Sequence, residues 1–375
     1  MVKRILLMLT VAAAMAFAAC GGGVQADMLP EETPPVATPA PTPPIPEPEP
    51  VIESPPPGHV FSPLTGLYIR EEAANRRPFA VVINNERQAM PQSGLMQADI
   101  IYEVLAEGSI TRLVAIFQDF DAEMIGPIRS TRHYFTYFAL DHGAVMVHHG
   151  GSTAGYAAIR NRRIPAVDGM RFDGTVFWRD IERRRTRGLE HSSYTSAENL
   201  LDIADRLNFD MEARENPGIF NFFEDLTAPA PRNLAQRVIV PFHGNNITAF
   251  EYNPEDNLYY KSIFGEPHMD AAVDAQVAVS NVLVKITGMS VIDGDGRRNV
   301  VMVGSGEGYL ATHGTFSRVT WQRDDAAGPT RWYDEDGEPL TVNRGRTWIS
   351  VINGRPDFEG PIEDVEYDEN NRQHF

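Results

Sequence analysis

One cysteine in 375 residues excludes an internal disulfide framework and any thiolate cluster for zinc or iron–sulfur. Lysine is almost as scarce, with three against thirty arginines. Basic residues as a whole are outnumbered, 33 against 51 acidic ones. The net charge of −18 argues against bulk binding to nucleic acid or to an anionic membrane surface. No Gly-x-Ser-x-Gly elbow occurs, and no internal repeat of fixed period. What is present suffices for a core: 42% of residues are hydrophobic and 9% aromatic, in a chain long enough for two domains.

The lone cysteine has an informative position. Met1-Val2-Lys3-Arg4 precedes an uncharged stretch from Ile5 to Ala19, and Phe17-Ala18-Ala19-Cys20 is followed by three glycines. A short basic segment, about fifteen apolar residues and small residues at a cut form a secretory signal. The stretch is shorter than the roughly 20 residues a spanning helix needs. The ending resembles a bacterial lipobox, which implies cleavage after residue 19, a lipid on Cys20 and extracytoplasmic anchoring to the cell membrane. A lipid supplies the membrane affinity that the acidic chain lacks. Prolines then fill 13 of the 28 positions from Pro30 to Pro57, a composition that favours extended polyproline II and cannot build a core. Residues 20–57 thus read as a tether, of which Pro30–Pro57 reaches on the order of 90 Å. Residues 357–375, with seven acids, read as a solvated tail.

Between them the patterning predicts an α+β protein. A mixed α/β domain is expected over 58–227, with strands in Pro78–Ile83, Ala98–Val104, Thr111–Phe117 and Ala144–Val147. Helices are expected at Ser130–Leu140 and Ser196–Leu207. After a Pro-rich linker at 228–235, a mostly antiparallel β domain is expected over 236–356. Gly304-Ser305-Gly306-Glu307-Gly308 reads as a turn, because no helix pattern follows it.

The densest polar text is Gly126-Pro127-Ile128-Arg129-Ser130-Thr131-Arg132-His133. A helix starting there would put Arg129 and Arg132 on one turn, suited to an anion; pairing with internal acids such as Glu103 or Glu107 is the alternative. His149-Gly150-Gly151-Ser152 follows a buried strand, where open α/β sheets place ligand groups. His148 and His149 point to opposite faces, so only one can serve a site and a metal pair is disfavoured. His191 is a second imidazole candidate. Arg160–Arg187 carries nine arginines against four acids, either a salt-bridged solvated face or a basic patch.

Several separate motifs occur in order: Arg77-Pro78-Phe79-Ala80-Val81, Ile83-Asn84-Asn85, Pro91-Gln92-Ser93-Gly94-Leu95, Ala98–Glu103, Glu107-Gly108, Ile110-Thr111-Arg112, Gly126–Phe135, His149–Ser152, Gly265–Asp270 and Arg346–Ile349. Together they resemble the YerB-like lipoproteins of the DUF3048 family over roughly residues 60–355. One local departure is Arg346-Thr347-Trp348, where Lys-Thr-Trp is expected. The resemblance implies two family domains behind a lipid anchor, and brings no catalytic residues, cofactor or metal. From the residues themselves, the expectation is an envelope lipoprotein that binds an anionic wall polymer or an envelope protein. Arg129 and Arg132 would act as clamps, His149, Gly150 and Gly151 as lining, Glu103 would orient an arginine, and Ser152 and Arg112 are further ligand-binding candidates. The competing readings are a cell-wall hydrolase or transferase using His149 or His191 with Glu103, and a non-catalytic protein–protein adaptor.

Overall fold

Phe79–Asn84 (β1) is a run of six buried residues whose side chains alternate between two cores, Phe79, Val81 and Ile83 into one, Ala80 and Val82 into the other. A strand covered on both faces reads as a continuous apolar run, which is why it was visible in the sequence. Ile100–Glu107 (β2) and Ile110–Phe117 (β3) form a hairpin beside it, followed by Val145–His148 (β4) and Ala166–Asp168 (β5). The second sequence half supplies Asn281–Ile286 (β9), Gly304–Thr312 (β10), Thr315–Arg323 (β11), Arg331–Tyr333 (β12) and Thr347–Ile352 (β13) to the same sheet. Its order is β12-β11-β10-β9-β13-β2-β3-β1-β4-β5. β1, β2, β4, β5, β9 and β13 run parallel to one another, with β3 antiparallel between β2 and β1.

A second, antiparallel sheet of Arg237–His243 (β6), Asn246–Asn253 (β7), Leu258–Ile263 (β8) and Asp357–Glu359 (β14) covers one face through Val238, Val240, Phe250 and Tyr259. Ala197–Arg206 packs on that same core through Leu200 and Ile203, its start capped by Ser196, whose side chain accepts from the Asn199 N–H. Phe135–Asp141 covers the opposite face through Phe135 and Phe138. The molecule is α+β, mixed in its first half and mainly antiparallel in its second.

The computed structural model describes residues 55–214, 218–228, 233–244 and 246–360. The signal segment, Cys20, nearly all of the tether and residues 361–375 lie outside them. No helix among the described residues is long and apolar enough to cross a membrane.

Four expectations change. The helix predicted from Ser130 begins only at Phe135, because Thr131 is bridged to Gly151 and its N–H is bonded to Gly150 O. Arg129 and Arg132 therefore do not share a helical turn. The glycine-rich run at 304–308 is not a turn but the start of β10. A side chain at Gly306 would strike the Trp321 indole, and one at Gly308 would strike Val284 O. The tail read from Asp357 opens with a strand paired to β6, with Phe358 stacked on Phe316 at 3.9 Å. Lastly, the segments before and after 228–235 share one sheet, each supplying a contiguous block of five strands, and the blocks meet where β13 pairs with β2 through Ile349 and Tyr102. Two buried ion pairs cross the same boundary, Glu103 with Lys261 and Asp141 with Arg323.

Candidate functional site

The carboxyl ends of the parallel strands β1, β2 and β4 lie at one end of the sheet, the end where such sheets place ligand groups. The loops leaving them carry Asn84-Asn85-Glu86-Arg87, Glu107-Gly108-Ser109 and His149-Gly150-Gly151. The segment 126–132 runs among them, held by backbone bonds from Arg129 N–H to Val82 O and from His149 N–H to Arg129 O.

Three arginines gather here. Arg112 donates to Glu107 Oε2 at 2.9 Å and to Ser130 O at 2.6 Å. Arg132 pairs with the other oxygen of Glu107 and donates to Thr131 O at 2.7 Å. One carboxylate thus serves two guanidinium groups. Burial pushes Arg112 down to about 9 and Arg132 to about 10, so both stay protonated at neutral pH. Arg129 is held differently. Its nearest acids are Glu86 and Glu190, each at 3.8 Å, beyond hydrogen-bond reach. Its side chain is four-fifths buried (21% exposed), yet no hydrogen bond leaves its guanidinium among the described residues. The Nε atoms of Arg112, Arg129 and Arg132 are all buried without a partner.

The other candidates are committed elsewhere. Glu103, expected to orient an arginine, lies on the opposite face of the sheet. It accepts from Asn85 and Thr111 and faces Lys261 Nζ at 3.6 Å; burial lowers that lysine to about 8. Gly150 bonds through its N–H to Asp168, the Gly151 backbone is bridged to Thr131, and Ser152 caps the helix Thr153–Asn161. These three frame the loop rather than line an opening.

The two imidazoles occupy separate settings, and their tautomers follow from their partners. Arg179 only donates, so His149 Nε2, 2.7 Å away, accepts; Nδ1 then carries the proton and donates to Ser193 Oγ at 2.8 Å. That polarity is wrong for taking a proton from Ser193. Gly169 leaves the room this ring occupies, since a side chain there would overlap it. His191 accepts at Nδ1 from Asn84 Nδ2 at 2.9 Å and turns Nε2–H toward Glu86 and Glu190, each 3.8 Å away. Burial lowers both histidines below the ordinary imidazole value, so they are neutral at pH 7. His148 faces away from His149, against the Tyr156 ring and Asp168. In the Arg160–Arg187 stretch, Arg162, Arg179, Arg183 and Arg187 donate to backbone carbonyls, and Arg185 pairs with Glu182. Much of that basic run is structural.

Beside Glu86 opens a cleft of about 360 Å³, walled by Glu86, Arg87, Ser109, Ile110, Asn246 and Phe264. Glu86 therefore joins the Arg129 cluster to this cleft. None of these residues is among those the sequence alone marks as site candidates. Their segments are brought together only by the packing of the second sheet on the first. The one local signal was Phe264-Gly265, a two-residue hairpin turn between Ile263 and Glu266. A larger recess of about 570 Å³ near Gly94 and Asp270 offers less. Its buried carboxylate, Asp270, already accepts from the N–H groups of Gly94, Met96 and Ala272.

Comparison with known proteins places this architecture. Residues 64–210 match the model described as "Protein of unknown function (DUF3048) N-terminal domain", and residues 238–349 match the corresponding C-terminal domain. The chain is 34% identical over 304 residues to "Putative lipoprotein YerB" of Bacillus subtilis (strain 168), covering 80% of this chain and 87% of that one. The crystal structure of the YerB protein from Bacillus subtilis superposes with a TM-score of 0.70 at 31% identity, covering 80% of this chain and 99% of the other.

Proposed function

Because the chain belongs to the DUF3048 family, we propose that it works as an extracytoplasmic lipoprotein, tethered through Cys20, whose folded part binds an anionic group of an envelope ligand at Arg129. The tether reading is supported by the signal and lipobox text and by the name of the Bacillus subtilis relative. The binding reading rests on one observation: a guanidinium four-fifths buried, 3.8 Å from the cleft-lining Glu86, with no hydrogen bond of its own among the described residues. Guanidinium donors left unused in a partly desolvated site are unfavourable, and a phosphate or carboxylate relieves that cost with charge-assisted bonds. Arg112 and Arg132, sharing one carboxylate, add positive potential behind it. Glu190, more than half exposed, is the acid best able to swing aside.

Hydrolase or transferase chemistry gains nothing from this arrangement, since Glu103, His149 and His191 lie in separate settings and His149 is locked in the wrong tautomer. The adaptor reading does not gain either, because exposed apolar side chains occur in both halves, Met170 and Ile181 as well as Val291 and Ile292. The test is titration of the mature soluble chain with inorganic phosphate and with purified anionic wall polymer. Arg129→Gln is expected to weaken both by roughly tenfold, the scale of one lost charge-assisted bond, with the thermal midpoint unchanged. Equal binding by wild type and a folded Arg129→Gln variant sinks the reading.

A further inference from the structure

The cleft beside Glu86 has its own chemistry. Asn246 is 5% exposed; its Nδ2 donates to Ser109 O at 2.8 Å, while its Oδ1 is buried with no partner. An amide oxygen left without a donor in a cleft wall is unfavourable, and an N–H or O–H from a ligand relieves it. Facing the same space are an apolar side chain, Ile110, and an aromatic ring, Phe264. The ring is held in place by Arg87, whose guanidinium lies 4.8 Å from its centroid and donates to Phe264 O at 3.2 Å.

Phe264 sits where a bulky residue is unfavourable. Its φ is +57°, at the first central position of the two-residue turn between Ile263 and Glu266, where Asn or Gly is preferred. A phenylalanine held there keeps an aromatic wall on the cleft at the cost of local strain, the pattern found at ligand sites. The volume, about 360 Å³, is within the range that takes a small ligand.

An aromatic wall, an apolar spot and one unmet amide acceptor, beside charged groups able to bond hydroxyls, fit one ligand class closely. We infer that this cleft is a subsite for an N-acetylated amino sugar of a glycan. The acetamido N–H meets Asn246 Oδ1, its methyl packs on Ile110, and the sugar ring lies along Phe264. The inference shares Glu86 with the anion site but does not require Arg129, since the sugar unit is uncharged.

The experiment titrates the soluble mature chain with chitotetraose, a neutral oligomer of N-acetylglucosamine, and with cellotetraose, which lacks the acetamido groups. Chitotetraose is expected to bind roughly tenfold or more tightly than cellotetraose, the difference of one buried hydrogen bond. Phe264→Asn removes the ring while tolerating left-handed backbone, so it is expected to keep or raise the thermal midpoint. It should weaken chitotetraose by roughly tenfold, the scale of a lost aromatic contact. No chitotetraose binding by the folded wild type, equal binding of the two oligomers, or binding unaffected by Phe264→Asn each overturns the inference. Phosphate titration of the same sample separates the two readings. Phosphate without chitotetraose overturns this one alone, and chitotetraose without phosphate supports it while the anion site falls.

Discussion

Lys285 shows how far a single side chain can sit from its preferred surroundings. It is 2% exposed, its Nζ has no hydrogen-bond partner among the described residues, and it lies 3.8 Å from the centroid of the Trp321 ring. Burial lowers it from 10.5 to about 7, against a smaller opposing pull from Asp141. The sign of the pH effect follows. Between pH 7 and 10.5 the unfolded chain holds a proton that the folded chain has shed, so this residue makes stability rise with pH across that window. Below pH 7 both states are protonated and the full cost of burying the charge is present. Lys285→Met is therefore expected to stabilise by about 2–4 kcal/mol at pH 7, with the gain fading toward pH 10. Urea midpoints of wild type and variant at pH 6.5, 8 and 9.5 check it; a constant difference refutes the assignment.

Among the elements, β14 is the addition that charge counting concealed. Seven acids in 357–375 made the whole segment look solvated, yet Phe358 stacks on Phe316 and lies 5.3 Å from the Tyr309 ring. The Glu359 carbonyl also accepts from the Gln236 N–H. Phe358→Ala is expected to cost about 1–3 kcal/mol, from lost ring stacking and apolar burial. Hydrogen exchange should speed first at Gln236 and in β6, which loses its edge partner, before β1 or β2 responds. Such local contrasts also explain what was legible in advance. β1, β2 and β3 were visible because both faces are buried and their sequences are nearly all apolar. The helix 197–206 was visible through Ser196 and its spaced apolar residues. The strand 304–312 was hidden because its glycines make room for tryptophans far along the chain. At the site, Arg129 and Arg132 stood out by residue type. Asn246 and Phe264 did not, because an unmet amide oxygen exists only once two sheets have packed.

For the whole molecule, the question is whether the two halves matched by separate family models are separate folding units. β13 inserts between β2 and β9, so residues 58–227 alone would expose β2, an apolar strand, as a bare edge. They would also leave Glu103 without Lys261 and Asp141 without Arg323, and a broken buried pair costs about 3–5 kcal/mol. Two such losses are comparable with the roughly 5–15 kcal/mol that holds an ordinary domain together. The expected outcome is one cooperative transition for residues 58–375. Far-UV circular dichroism would coincide with tryptophan fluorescence, which comes chiefly from Trp321, Trp332 and Trp348 in the second half. Residues 58–227 expressed alone should fail to reach a cooperatively folded state. Two resolved transitions, or a soluble first half with dispersed amide resonances, would instead make each half autonomous. The candidate site, which draws Glu86 and Arg129 from one half and Asn246 and Phe264 from the other, would then lie between two independently stable bodies. A single transition makes both walls of the cleft parts of one cooperative unit, formed together when the chain folds.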